Sequence, residues 1–215
     1  MLSRTLEMIP ILYLLLAFAV GYLLGRYRAS SFQNRGEALV HRELQANFSG
    51  PDYHLLNHIT LKLKDGTTQI DHILVSRFGV FVIETKDYKG WIFANAKHAT
   101  WTQVLYRWKF KFQNPIFQNM RHVRAVQELF DFLPPEAIKS AVVFTDRAEF
   151  KTEMPSGVYT LPGLIDHLRA ATEEVMSLNR VQFCVGRLET ARLAISGQTD
   201  LEHVKSLQRK HGGPN

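Results

Sequence analysis

Two apolar, β-branched runs, Gln69–Ser76 and Gly79–Lys86, flank a break at Arg77 and Phe78, the pattern of a β-hairpin. Charged residues stand inside both runs: Asp71 in the first, Glu84 and Lys86 in the second. Side chains alternate along a strand, so Glu84 and Lys86 share a face with Val80 and Val82. An even turn centred on Arg77 and Phe78 pairs Val75 with Val80, Ile73 with Val82, and Asp71 with Glu84. An odd-length loop faces Asp71 with Thr85 instead. The even register is the expectation adopted. It sets two carboxylates roughly 5 Å apart at Cβ, where like charges destabilise a sheet. A cation between them would cancel that repulsion.

The pattern on either side adds helices and further strands. Val40, Leu44 and Phe48 make a helical stripe over Gly36–Phe48, and Glu37 lies on it. An acid in a first helical turn is also favoured by the helix dipole, so Glu37 has two readings at this point. Tyr53–Lys64 reads as a strand with Leu55, Asn57, Ile59, Leu61 and Leu63 on one face, followed by a turn at Lys64–Thr67. Tyr106–Phe112 alternates strictly, Arg107, Lys109 and Lys111 against Trp108, Phe110 and Phe112. That predicts an amphipathic strand with its aromatics packed inward.

Asn114-Pro115 opens a helix, with Ile116, Met120, Val123, Val126 and Phe130 as its buried side and Pro134-Pro135 beyond its end. Ser140–Thr145 reads as a buried strand. A weak strand at Val158-Tyr159, helices near Leu161–Ala171 and Val175–Ile195, and a polar stretch over Asp200–Lys210 complete the chain.

Met8–Gly25 carries no charge and is dominated by Ile, Leu, Ala, Phe and Val. As a helix it spans roughly 27 Å, close to the hydrocarbon thickness of a bilayer. Arg26-Tyr27-Arg28 follows where a signal peptide would place small residues for cleavage. Arg26, Arg28 and Arg35 lie on its C-terminal side against Arg4 and Glu7 on the other, so the positive-inside rule puts the N-terminus outside and the globular part in the cytoplasm. The expected organisation is a transmembrane helix over 8–25, a linker over 29–35, a domain over 36–150 and a helical extension over 151–215.

With 215 residues the chain can bury one full core plus extensions. Its net charge of +6 favours polyanions or anionic lipid as partners. The single cysteine, Cys184, rules out an intrachain disulfide and a cysteine-based zinc site; its apolar neighbours make it a packed thiol. No acidic residue occurs between Asp87 and Glu128, an interval that holds Lys89, Lys97, Arg107, Lys109, Lys111, Arg121 and Arg124. A surface of one sign suits a phosphate backbone, and anionic lipid is the rival partner. His72 points away from Asp71 and reads as a packed or partnered imidazole.

Asp71 followed by Glu84-x-Lys86 on the next strand resembles the PD-(D/E)xK nucleases. Gly36-Glu37, Ile70-Asp71-His72, Gly79 through Lys86, Gly90, Trp101 and Asn114-Pro115-Ile116-Phe117-Gln118 follow in order. That series resembles the NERD (nuclease-related domain) family, a branch of those nucleases, over about residues 35–133. The resemblance implies an α/β, restriction-endonuclease-like core, a mixed central sheet flanked by helices, behind the transmembrane helix. It implies catalytic roles for Asp71, Glu84, Lys86, Glu37 and Gln118, and DNA as substrate, with RNA as an alternative.

The oxygens of Asp71, Glu84 and Glu37 suit a hard cation, Mg²⁺ or Mn²⁺. Lys86 would orient water or neutralise charge, with Gln118 positioning it. Lys89, Arg107, Lys109, Lys111, Arg121 and Arg124 are the candidate nucleic-acid contacts. The competing reading is a membrane-tethered module that binds nucleic acid or protein without cutting.

Overall fold

A computed structural model describes residues 35–192 and, ahead of them, Phe18, Val20 and Gly21. Nearly all of the expected membrane span and of the linker, and the polar C-terminal stretch, lie outside these residues. Among the described residues no helix is long and apolar enough to cross a membrane.

The first helix, α1, covers 35–47. Strands β1 (Tyr53–Leu63), β2 (Gly66–Ser76) and β3 (Gly79–Lys86) follow as an antiparallel meander. Then come β4 (Gly90–Phe93), β5 (Thr100–Leu105), β6 (Trp108–Gln113) and α2 (Pro115–Leu129). The chain closes with β7 (Ile138–Phe144), β8 (Ala148–Phe150), β9 (Val158–Thr160), α3 (Leu161–Arg169) and α4 (Leu178–Ala191).

The main sheet runs β1-β2-β3-β7-β9, antiparallel up to β3 and parallel beyond it. One face packs Val40 and Leu44 of α1, Phe48 just past its end, and Leu164, Ile165 and Leu168 of α3 onto Leu74, Phe81 and Ile83. The other packs Val126 and Phe130 near α2's end, with Val181, Cys184 and Leu188 of α4, onto Ile73, Val75, Val80 and Val82. The result is a mixed α/β fold with helices on both faces of the sheet. Residues 151–192, expected as a helical extension, supply β9 to this sheet and a helix to each face. Burial pushes the Cys184 thiol up to about 11, which suits a packing role.

The hairpin turn is Arg77-Phe78, and Val75 pairs with Val80 and Ile73 with Val82, the even register. A second sheet, β6-β5-β4-β8, was foreshadowed only by the alternation at Tyr106–Phe112. That strand begins at Trp108, because Tyr106 and Arg107 form the β5–β6 turn and Tyr106 adopts φ +56°. Arg107 therefore shares no strand face with Lys109 and Lys111. The aromatics do not all pack inward: Phe112 does, while Trp108 and Phe110 are 62% and 51% exposed.

Candidate active site

The polar cluster sits where the main sheet changes its pleat. In the β1–β2 ladder every position from Tyr53↔Ser76 to Leu63↔Gly66 is paired except His58 with Asp71. His58 adopts φ +51°, a left-handed conformation that a side-chain-bearing residue rarely takes. On β1, Leu55 packs with the α1–α3 core whereas Ile59 and Leu61 pack with the α2–α4 core. On β2, Ile70 and Ile73, an odd spacing, pack in the same core. The alternation thus reverses on both strands at His58–Asp71, and the single face expected from Leu55 to Leu63 does not exist. The reversal lets Asp71 face the same side as Thr68 and Ile70 while remaining across from β3.

Asp71 is buried, and its Oδ2 accepts the Thr85 N–H at 2.8 Å. Continuing the hairpin register by one residue beyond His72↔Ile83 brings it opposite Glu84. Glu84 has both oxygens engaged: Oε1 accepts from Lys86 Nζ at 2.6 Å, and Oε2 lies 3.0 Å from His122 Nε2. Lys86 also donates to Gln118 Oε1 at 3.0 Å. Beyond the imidazole, His122 Nδ1 lies 2.7 Å from Thr68 Oγ1. A continuous chain therefore runs Gln118–Lys86–Glu84–His122–Thr68, with Asp71 beside it.

Helix α2 carries two members of that chain, and its own sequence fixes where it starts and docks. Asn114 caps it, accepting from Ile116 N–H at 2.9 Å and donating to the His98 carbonyl at 2.8 Å. One turn on, the buried Asn119 amide donates to the carbonyls of Val82 (2.9 Å) and Ala141 (3.1 Å) and to Ser140 Oγ (2.8 Å), pinning the helix over β3 and β7. The buried side is thus rotated from the expected one. Asn119 and His122 turn in and Met120 is 44% exposed, because the carbonyls and Glu84 beneath need polar partners.

Glu37 arrives from the other side, on α1, and is buried as its place on the apolar stripe predicts. The preceding glycine is required by close approach: a Cβ on Gly36 would lie 2.5 Å from the Cβ of Asp87. Glu37 Oε2 is 3.5 Å from His58 Nδ1, so the strained residue of β1 faces this carboxylate.

Burial and mutual repulsion dominate the electrostatics. Burial, then the Glu84 charge, raises Glu37 to about 7 against the pull of Lys86. Burial, then Glu84 and Glu37, holds Asp71 well above the ordinary carboxylate range, despite the Thr85 N–H. Burial also pushes Glu84 upward, but Lys86 and His122 outweigh it and hold Glu84 below its ordinary value. Burial would lower Lys86, and Glu84 overrides that, keeping the ammonium charged. The site is therefore one firmly ionised Glu84–Lys86 pair beside two carboxyls that resist ionising together.

This donor set fits a hard divalent cation in its chemistry: carboxylate oxygens whose repulsion a cation would relieve. As the side chains are packed, no group of three or more His, Cys, Asp or Glu among the described residues is arranged to hold a metal. Both Glu84 oxygens are spent on Lys86 and His122, so a metal ligand role requires Glu84 to release one of them.

The basic candidates do not form one array. Lys109 and Lys111 lie on β6, Arg107 in the turn before it, and Lys89 ahead of β4. Arg121 and Arg124 line a cleft of about 640 Å³ with Phe117, Met120 and Leu63, and Arg121 is 3.5 Å from Asp65. His58, Thr68 and Asn119 escaped the sequence reading; none carries a spacing signal. His122 did carry one, four residues after Gln118 on the same helix face.

A family model for the nuclease-related domain, NERD, matches residues 33–145, just over half of the chain. The chain belongs to the NERD family. The NERD match contains the whole cluster, from Glu37 through His122, and makes the protein nuclease-related. An uncharacterized protein of Bacillus anthracis is 45% identical over 97 residues, covering 45% of each chain, so the similarity spans less than half of that relative's length. No solved structure matches this NERD protein.

Proposed function

We propose that this NERD protein is a metal-dependent nuclease of the PD-(D/E)xK type, hydrolysing phosphodiester bonds in DNA and held at a membrane by residues 8–25. The observation that carries the reading is Lys86, a buried ammonium held at 2.6 Å from Glu84 and 3.0 Å from Gln118 beside the raised carboxyls of Asp71 and Glu37. Such a cation can stabilise charge developing on a phosphate without reorganising.

Asp71, Glu84 and Glu37 are the residues that would hold Mg²⁺ or Mn²⁺. When bound, the metal would polarise the scissile phosphate and lower the pKa of water. His122, braced by Thr68, orients Glu84 from the side opposite Lys86. Gln118 accepts from Lys86 through Oε1, so its amide N–H groups can meet substrate oxygen or water.

The test is a cleavage assay of the full chain on DNA with Mg²⁺ or Mn²⁺, with chelator, and with Asp71→Ala. Cutting that needs both metal and Asp71 is expected. Wild-type inactivity on single-stranded, double-stranded and RNA substrates would favour the second reading, a non-catalytic binding module. The engagement of both Glu84 oxygens supports that second reading. For the anchor, retention in the membrane fraction through a carbonate wash is expected, and release would defeat it.

A further inference from the structure

The second sheet presents a face assembled in register from all its strands. Trp91 pairs with Val104 and Val104 with Lys109, while Glu149 of β8 lies on the other side of Trp91. Two residues along, Phe93 pairs with Thr102 and Thr102 with Lys111. Extending the β4–β8 register by one places Lys151 beside Phe93. Residues two apart share a face, so Trp91, Phe93, Thr102, Val104, Lys109 and Lys111 form one surface. Trp91 and Phe93 are 46% and 40% exposed, and both lysines of β6 are exposed. Glu149, a carboxylate at the margin, is paired with Lys151, whose Nζ also sits 4.8 Å above the Trp91 ring.

We propose that this face binds single-stranded nucleic acid, with Trp91 and Phe93 stacking on successive bases and Lys109, Lys111 and Lys151 on the phosphates. Sheet faces that present aromatics in this way serve as stacking platforms because every base has a π-face. Spacing selects the unpaired strand. Two rings on one strand, two residues apart, are roughly 6.6 Å apart, about twice the 3.4 Å rise of a stacked strand. Successive bases reach both rings only when pulled out of their stack, which a duplex cannot do without unpairing.

Charge complements this geometry. Lysines lie on both sides of the aromatic strand, on β6 beyond β5 and just past the end of β8. The Lys151 ammonium occupies a position over Trp91 that an incoming base would take, and a phosphate brought with that base would compete with Glu149 for the displaced cation. A lipid-inserting patch would instead carry its aromatics at a protruding tip, whereas these lie on an inner strand, beside Thr102. The proposal deepens the nuclease reading by naming what is held, and it rests on that reading for its biological sense alone. Binding through this face needs neither metal nor cleavage.

The test is anisotropy of a labelled oligo-dT with the full chain in chelator, against a duplex of equal length and against vesicles of anionic lipid. Single strand should bind at least about tenfold tighter than duplex. Trp91→Ala and Phe93→Ala should each weaken it by about 5- to 100-fold, while Trp91→Phe retains most of the binding; tryptophan fluorescence should be quenched on binding by wild type and less so by Trp91→Phe. Changing Lys109 and Lys111 to Met should flatten the salt dependence by about 0.7 for each phosphate contact removed. Equal binding of single strand and duplex, or unchanged affinity in Trp91→Ala and Phe93→Ala, overturns the proposal. Loss of vesicle binding alone in those variants also overturns it and assigns the face to lipid. Because the chelated assay excludes cleavage, wild type that binds in chelator yet fails to cut with Mg²⁺ separates failure of catalysis from failure of this platform.

Discussion

The carboxylate end of the main sheet and the outer face of the second sheet invert each other. In the first, Asp71, Glu84 and His122, residues that ordinarily face water, are sealed among apolar strands and a helix. In the second, Trp91 and Phe93, residues that ordinarily seek cover, remain exposed. Both segments alternate, and alternation alone says only that two faces differ. Which face is covered depends on what the chain lays over it later. For the main sheet that is α2, whose Asn119 and His122 bring polar partners inward. Buried polar groups that keep partners are tolerated, and exposed aromatics in a contiguous patch mark a surface that meets something.

The largest effects should separate these regions by stability. Lys86→Met leaves the Glu84 carboxylate buried with only His122, and removing one partner of a buried pair costs about 3–5 kcal/mol. The melting temperature should fall by roughly 10 °C for a chain of this size. Lys111→Met, on the exposed face, should change stability by no more than about 0.5 kcal/mol. Within the second sheet the same contrast holds for tryptophan. Trp101, 1% exposed and stacked at 6.1 Å on Phe144, should cost about 3–5 kcal/mol when cut to Ala, whereas Trp91→Ala should cost little. Comparable losses at buried and exposed positions, read in thermal melts, would erase the distinction.

That distinction marks how far the sequence was legible. The β2–β3 hairpin could be read to its register, because two apolar runs around a two-residue turn leave few pairings that bury both. Glu37 could be placed by its position on an apolar stripe. The reversal at His58 could not, since nothing in the residue type announces φ +51°. Nor could the second sheet: strands such as β4 and β8, Gly90–Phe93 and Ala148–Phe150, are too short for their alternation to register. The rotation of α2 went unread because Asn119 looks like a surface residue until the carbonyls beneath it are known.

A smaller effect should come from relieving charge at the site. Asp71→Asn removes one member of a repelling set while its amide oxygen still accepts from Thr85 N–H. Near neutral pH and without metal the variant should gain about 1 kcal/mol, moving the melting temperature up by roughly 2–4 °C. Added Mg²⁺ should stabilise wild type by mass action and the variant much less. Most strand substitutions destabilise, so a rise is diagnostic. A fall, with the Mg²⁺ response intact, would mean Asp71 belongs to the structural hydrogen bond alone.

The smallest and most specific effect belongs to Glu37. Its folded-state value is raised by burial and the Glu84 charge, from 4.5 to about 7. The folded state therefore binds the proton more tightly than the unfolded chain. Its contribution is fully present below about pH 4.5 and lost as pH rises through about 7. Glu37→Gln should thus stabilise the metal-free protein above pH 7, and the gain should fade as pH drops toward 4.5. Residual solvent screening discounts the effect, so less than about 1 kcal/mol is expected.

His72 runs the other way. Burial lowers it from 6.5 to about 3, so its contribution is present above pH 6.5 and lost as pH falls toward 3. The two trends oppose each other in wild type, which would leave a flat profile hard to assign. His72 is common to both proteins, so it cancels in the difference between Glu37→Gln and wild type. A difference in melting temperature that grows between pH 4.5 and 7 and then levels off places a strained carboxyl at Glu37. A difference that is constant across that range would make Glu37 an ordinary first-turn acid, joined to the site by nothing but proximity.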